Sequence, residues 1–201
     1  EDATPSLTVS AGIEAGVLLT TQDAQTVDAA TDTAESTADF SGVFSISASS
    51  YGADGAGTIS DIGYTLGLAT GVAEGTASGL TIGGAAINLY EIGGTIVGST
   101  SATEPASATD PSVVFTIAVD GDGVVTLSQM QQVDHGASGS ATDTFVSLAS
   151  GLVTLTGSAT ITDADGDTAT SSQSIDLGGN VRFEDATPSL TVSAGIEAGV
   201  L

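Results

Sequence analysis

The turn Asp163-Ala164-Asp165-Gly166-Asp167 places three carboxylates at alternate positions, with a glycine that permits a tight bend. Carboxylates aimed at one centre are hard oxygen ligands, the kind that hold Ca2+ through six to eight oxygens at about 2.3–2.6 Å. The segment opens like an EF-hand loop but does not continue as one. That loop requires Gly at its sixth position and Glu at its twelfth, where this chain has Thr168 and Ser174. Three other acidic groups are candidates for the same chemistry. Asp120 and Asp122 lie in the turn Asp120-Gly121-Asp122-Gly123, Asp54 lies in Tyr51-Gly52-Ala53-Asp54-Gly55 with Asp61 seven positions beyond, and Glu184-Asp185 has a copy in Glu1-Asp2. Asp-Gly is also ordinary turn chemistry, so each group has a plain reading as a solvated turn or linker. The expected ligands of Ca2+ are therefore Asp163, Asp165, Asp167, Asp120, Asp122, Asp54, Asp61, Asp2, Glu184 and Asp185.

Other chemistries find little support. The single histidine, His135, follows Asp134, with Ser138 and Ser140 nearby. Adjacent residues rarely have triad geometry, and no G-x-S-x-G nucleophile elbow is present. His135 is expected to close or pack against a short helix. Among 25 acidic residues no pair stands out for glycoside hydrolysis, and there is no Trp for a sugar platform. No enzymatic activity is expected.

Composition narrows the classes further. The 201 residues carry 25 acids against one Arg or Lys, a formal net charge of -24. Without a basic patch there is nothing to displace counterions from nucleic-acid phosphates, and docking on anionic membranes is disfavoured. The absence of Cys removes disulfides and thiolate metal sites. No apolar run approaches the roughly 20 residues of a membrane span, and no positively charged signal opens the chain. Leu, Ile, Val and Phe make up about a quarter of the residues, above the roughly 20% below which disorder is expected. The chain is apolar enough to fold but repels itself, so a cation is expected to offset the charge.

The elements that must position these carboxylates read as strands. Phe40–Ser47 and Ile59–Ala69 alternate apolar and small polar residues. Ile87–Thr100 is a hairpin about Gly93-Gly94, since a two-residue turn needs positive φ. Val113–Gln129 is a second hairpin about the DGDG turn, and Leu152–Leu177 a third about Asp163–Asp167. Turn signals recur as in a sandwich or barrel. Helical candidates are short, at Asp23–Ala34 and Ser128–Val133. The expected fold is all-β: an antiparallel, immunoglobulin-like β-sandwich elaborated with extra hairpins.

Residues Glu1–Leu18 and Glu184–Leu201 both read EDATPSLTVSAGIEAGVL, without a mismatch, at an offset of 183 residues. Such identity marks tandem duplication. The organisation expected is a linker at 1–5, one repeat at 6–183 with a possible subdivision near 102–111, and a linker plus first strand of the next repeat at 184–201. Repetition without variation suits a spacer better than a catalyst.

Four segments carry a resemblance to a known family. They are YGADG, INLYEIGGTIVGST, VVFTIAVDGDGVVTLSQMQQVDH, and SLASGLVTLTGSATITDADGDTATSSQSIDLGGNVRFEDATPS. Together, over roughly Phe40–Pro188, they resemble the long tandem repeat of giant RTX-type adhesins exported by type I secretion. The EDATP joint is similar to the acidic, Pro-ended linkers between calcium-stiffened domains of such proteins, although Glu184 stands where related joints often carry Asp. The glycine-rich nonapeptide calcium repeats and secretion signal of that family lie at its C-terminus, so a central repeat should lack both.

The resemblance implies an extender, or stalk, module that projects ligand-binding domains from a Gram-negative cell for attachment and biofilm formation. It implies a secreted, cell-surface location, neighbouring repeats of the same chain as partners, and a monomer in isolation with no nucleic acid and no membrane insertion. Low cytosolic calcium would keep the acidic chain unfolded for export, and millimolar calcium outside would match the weak affinities, about 10⁻⁴–10⁻³ M, of extracellular modules. The alternative expectation is a repeated ligand-binding module that contacts a glycan, ice or another adhesin, gaining avidity from its copies.

Overall fold

The computed structural model describes residues 4–26, 33–135 and 144–185. Among these the chain forms fifteen strands. They are β1 (Ser6–Ala11), β2 (Leu19–Gln22), β3 (Ala34–Asp39), β4 (Phe44–Ser50), β5 (Thr58–Ile59), β6 (Gly63–Leu68), β7 (Thr76–Ile82), β8 (Ala85–Ile92), β9 (Thr95–Ser99), β10 (Val113–Val119), β11 (Val124–Gln129), β12 (Phe145–Ser147), β13 (Val153–Thr162), β14 (Thr168–Asp176) and β15 (Val181–Glu184). The fold is an all-β sandwich, as the alternation in sequence predicts.

One layer is a six-stranded antiparallel sheet in the order β3-β11-β10-β9-β8-β7. The other side is built on β13, which pairs with β14 along one edge and with β5 and β6 along the other. The β1–β4 pair adjoins it, with the Val9 N–H donating to Ser171 Oγ of β14 at 2.9 Å. Strand periodicity explains the core. In β13 and β11 buried and half-exposed residues alternate strictly, because successive side chains leave a strand on opposite faces. Val153, Leu155, Ala159, Leu66, Ile175 and Phe44 thereby meet Leu89, Ile96, Phe115, Ile117, Val125 and Leu127 in one cluster. Gly98 of β9 admits a close approach within this core: a Cβ there would lie 2.2 Å from the Phe115 ring.

The three expected hairpins are present. Gly93 and Gly94 take φ of 59° and 81° between β8 and β9. The DGDG turn joins β10 to β11, and Asp163–Asp167 joins β13 to β14. Residues 102–111 form a loop between β9 and β10, which pair with each other.

Several local expectations are corrected. Phe40–Ser47 is not one strand, because Ser41–Val43 closes a 3-10 turn before β4. Ile59–Ala69 is interrupted at Ser60–Ile62, splitting into β5 and β6 on the same partner. Of the first helical candidate, Asp23–Thr26 is a 3-10 turn and Ala34 opens β3, while 27–32 lie outside the described residues. Ser128–Val133 is not a helix: Ser128 and Gln129 end β11, and the backbone runs on without regular structure. His135 therefore closes no helix. Among the described residues one pairing departs from the antiparallel pattern. In the small sheet β12-β15-β2, β15 runs parallel to β2, with Val181 opposite Leu19 and Phe183 opposite Thr21. The last described strand, β15, is thereby central in this sheet, beside the early strand β2.

Candidate metal centres

Two clusters of ligand-bearing side chains occur among the described residues: Asp163, Asp165 and Asp167, and Asp23, His135 and Asp185. In each, one potential ligand atom per residue lies within 4.8 Å of the others. Two ligands on opposite sides of an ion with bonds of about 2.4 Å are about 4.8 Å apart, so either group can be spanned by a single cation.

The first cluster is built by the β13–β14 turn. The Asp163 N–H donates to Asp167 O at 3.0 Å, closing the hairpin. Asp163 Oδ1 accepts from Gly166 N at 3.1 Å and Asp167 N at 2.8 Å, which fixes the carboxylate inside the turn. Gly166 supplies the required left-handed backbone, with φ of 104°. Asp163 is only 4% exposed, and its Oδ2 has no hydrogen-bond donor among the described residues. A buried carboxylate oxygen left without a partner is costly. The Asp165 pKa is raised, first because its protonated form hydrogen-bonds Asp163, then by desolvation and by the charges of Asp163, Asp54 and Asp167. The neighbouring carboxylates thus favour the protonated form of Asp165.

Asp54, in the loop after β4, adds its charge to the surroundings of Asp165 without belonging to the three-residue cluster. Gly57 packs so tightly on the turn that a Cβ would lie 2.0 Å from Thr162 O and 2.7 Å from Asp163 O, and a Cβ on Gly55 would lie 3.6 Å from the Ala164 methyl. Two groups separated by more than 100 positions thus converge. Asp61 does not join them: it is exposed between β5 and β6, its carbonyl accepting from the Ser60 hydroxyl at 2.9 Å.

The DGDG turn has the same local chemistry and a different outcome. Asp120 Oδ1 accepts from Asp122 N at 3.0 Å and Val124 N at 2.9 Å. Both Asp120 and Asp122 are exposed, and neither belongs to a ligand cluster among the described residues.

The second cluster forms at the end of β15. The adjacent acids Glu184 and Asp185 part company. Glu184 Oε2 accepts from Gln22 Nε2 of β2 at 2.8 Å, whereas Asp185 turns to the cluster, its own N–H held by Thr144 O at 3.1 Å. Asp185 Oδ1 lies 4.0 Å, and Asp23 Oδ2 3.5 Å, from His135 Nδ1. Asp23 Oδ1 accepts from Gln129 Nε2 and from Val133 N. Burial is the largest cause of the raised Asp23 pKa, and the Gln129 and Val133 hydrogen bonds oppose it. Asp134 points away to the β7–β8 turn, accepting from Thr81 Oγ1 at 2.7 Å, Gly84 N at 2.8 Å and Gly83 N at 2.9 Å. Its pKa is lowered by these bonds, that from Gly84 first. Sequence reasoning missed Asp23 and gave His135 no ligand role; no local pattern links residues 112 positions apart. Asp2 lies outside the described residues.

No curated protein and no solved structure matches this chain. A family model described as a domain of unknown function, DUF5801, matches residues 7–178, which takes in the sandwich from β1 to the end of β14 and the Asp163 cluster. The chain belongs to that family.

Proposed function

We propose that this chain is a structural extender of a large calcium-dependent cell-surface adhesin, a repeat that folds and stiffens on Ca2+ and carries ligand-binding domains away from a bacterial surface. The observation that carries the reading is Asp163: a carboxylate 4% exposed, one oxygen of which lacks a donor, set among Asp165, Asp167 and Asp54. Ca2+ is the ion whose hard, oxygen-rich coordination suits that set. The exact repetition of EDATPSLTVSAGIEAGVL supports a tandem array, and a net charge of -24 supports a folded state that depends on cations. No catalytic role is part of the proposal, and the partners are the neighbouring repeats.

The coupling follows from linkage. An ion that binds only the folded state stabilises it by RT ln(1 + [L]/Kd), so free calcium at 10 to 100 times Kd contributes about 1.4 to 2.7 kcal/mol per site. Thermal unfolding of this chain in EDTA, in several millimolar Ca2+ and in the same Mg2+ tests the proposal. A rise of roughly 3 to 10 °C per site is expected with calcium and little with magnesium, which resists dehydration and demands octahedral geometry. An unchanged melting temperature removes calcium from the reading. Small-angle scattering of a two-repeat chain then tests the stalk: calcium should lengthen and stiffen it.

A further inference from the structure

We propose that Asp23, His135 and Asp185 form a second, chemically different metal site at the exit of the repeat, one that takes a first-row transition ion of the Zn2+ class rather than Ca2+. The imidazole decides the class. Calcium is bound by oxygen alone, whereas imidazole nitrogen suits Zn2+ and its neighbours.

In the tautomer protonated at Nε2, the ring is oriented as a ligand should be. His135 Nε2 lies 2.8 Å from Phe183 O. An N–H donated to a backbone carbonyl is the usual outer partner of a metal-bound histidine, and it leaves the other nitrogen as the ligand atom. That nitrogen, Nδ1, faces Val133 O at 3.0 Å, Asp23 Oδ2 at 3.5 Å and Asp185 Oδ1 at 4.0 Å. With Nε2 as the donor, four lone-pair-bearing atoms converge with nothing positive between them.

The neighbouring Gln129 braces Asp23 from the core side. It is 0% exposed, its Nε2 donates to Asp23 Oδ1, and its Oε1 has no partner among the described residues. The Asp23 and His135 side chains are each 5% exposed, while Asp185 is 44% exposed, so the ion has a rigid floor and an open entry. The site opens into a cleft of about 750 Å³.

The three ligands come from the turn after β2, the tail of β11 and the residue after β15. A cation there clips together positions 162 residues apart, the long-loop closure that gains most from a cross-link. Each joint of an array would be clamped to its upstream repeat. The inference does not depend on calcium binding at Asp163.

The test uses the 201-residue chain with Co2+ as a visible-absorbing probe and Zn2+ as competitor, in excess Ca2+. One equivalent of Co2+ is expected to bind, to be displaced by Zn2+, and to survive 10 mM Ca2+. Affinity should fall at least tenfold in Asp185→Asn, whose exposed side chain can change without disturbing the core, and binding should be lost in His135→Gln. Asp165→Asn should bind Co2+ as the parent does. Because the chain has one histidine, its ring nitrogens give unambiguous NMR signals in the unaltered protein. One equivalent of Zn2+ should shift Nδ1 and leave Nε2 protonated. If both nitrogens remain protonated and unmoved by Zn2+, or if Asp185→Asn binds Co2+ unchanged, the cluster is an imidazolium–carboxylate contact and the proposal is overturned.

Discussion

The Asp163 and Asp120 turns begin alike and end differently. In each, the first aspartate uses one oxygen to bind two backbone N–H groups of its own turn. Both are the local Asp-to-backbone bonding that favours this residue in turns. Asp120 stays exposed. At Asp163 the loop carrying Asp54 and Gly57 closes over the turn, so the same carboxylate is buried and its second oxygen loses its donors. A common turn becomes a candidate ion site when a second segment removes its water. The lesson is one of packing rather than motif.

The comparison can be broken most severely through Gly57. Gly57→Val should displace the loop from the turn, since the obstructing atoms are the backbone of Thr162 and Asp163. A loss of about 3 kcal/mol is expected from such overpacking, read as a lower melting temperature, together with loss of the calcium response. A calcium response that survives this change would show that Asp54 is not needed.

Asp163→Asn should have the next largest effect, and its sign should depend on the ion. With calcium in excess it should forfeit about 1.4 to 2.7 kcal/mol of linkage stabilisation. In EDTA it should stabilise the fold by relieving repulsion. Parallel melts in the two buffers measure both; the same direction in each would contradict an ion-dependent role.

The pH dependence sharpens the contrast. The folded pKa of Asp165 is raised above its usual 3.8 by its hydrogen bond to Asp163 and the nearby carboxylates. The native turn then holds its proton where the unfolded chain has lost it. In EDTA this contribution is full below about pH 3.8 and is lost as pH rises through the folded value. The stabilising effect of Asp165→Asn should accordingly grow on raising the pH from about 4. Calcium should suppress that trend. Asp110 and Asp134 act in the opposite sense, since hydrogen bonds lower their pKa values and their contributions fade on acidification. A difference between parent and variant that is flat in pH would show that Asp165 does not titrate abnormally.

Asp120→Ala should have the smallest effect. It removes two exposed hydrogen bonds to the turn, about 0.5 to 1 kcal/mol in sum, and equally with and without calcium. A calcium-dependent loss here would erase the distinction between the two turns.

Much of the fold was legible in sequence because strand patterning is local. The alternation of VTLTGSATIT and VVTLSQ marks β13 and β11, and Gly93-Gly94 marks a hairpin through the positive φ it permits. The helical misreadings have a common cause. Asp23 and the segment after Gln129 look polar and unpatterned, but they are shaped by a buried contact with each other rather than by propensity.

The sites divide along the same line. The cluster at Asp163, Asp165 and Asp167 was visible because its carboxylates share one turn. The approach of Asp54, the separation of Glu184 from Asp185, and the meeting of Asp23 with His135 were not visible. Sequence alone determined the strand periodicity, the acidic turns and the 18-residue repetition, all properties of neighbouring residues or of direct identity. Tertiary structure alone decided which carboxylate loses its water and which linker acid meets the histidine. Those outcomes depend on strand register and on the parallel docking of β15 against β2, which bring together residues whose separation along the chain leaves no periodic trace.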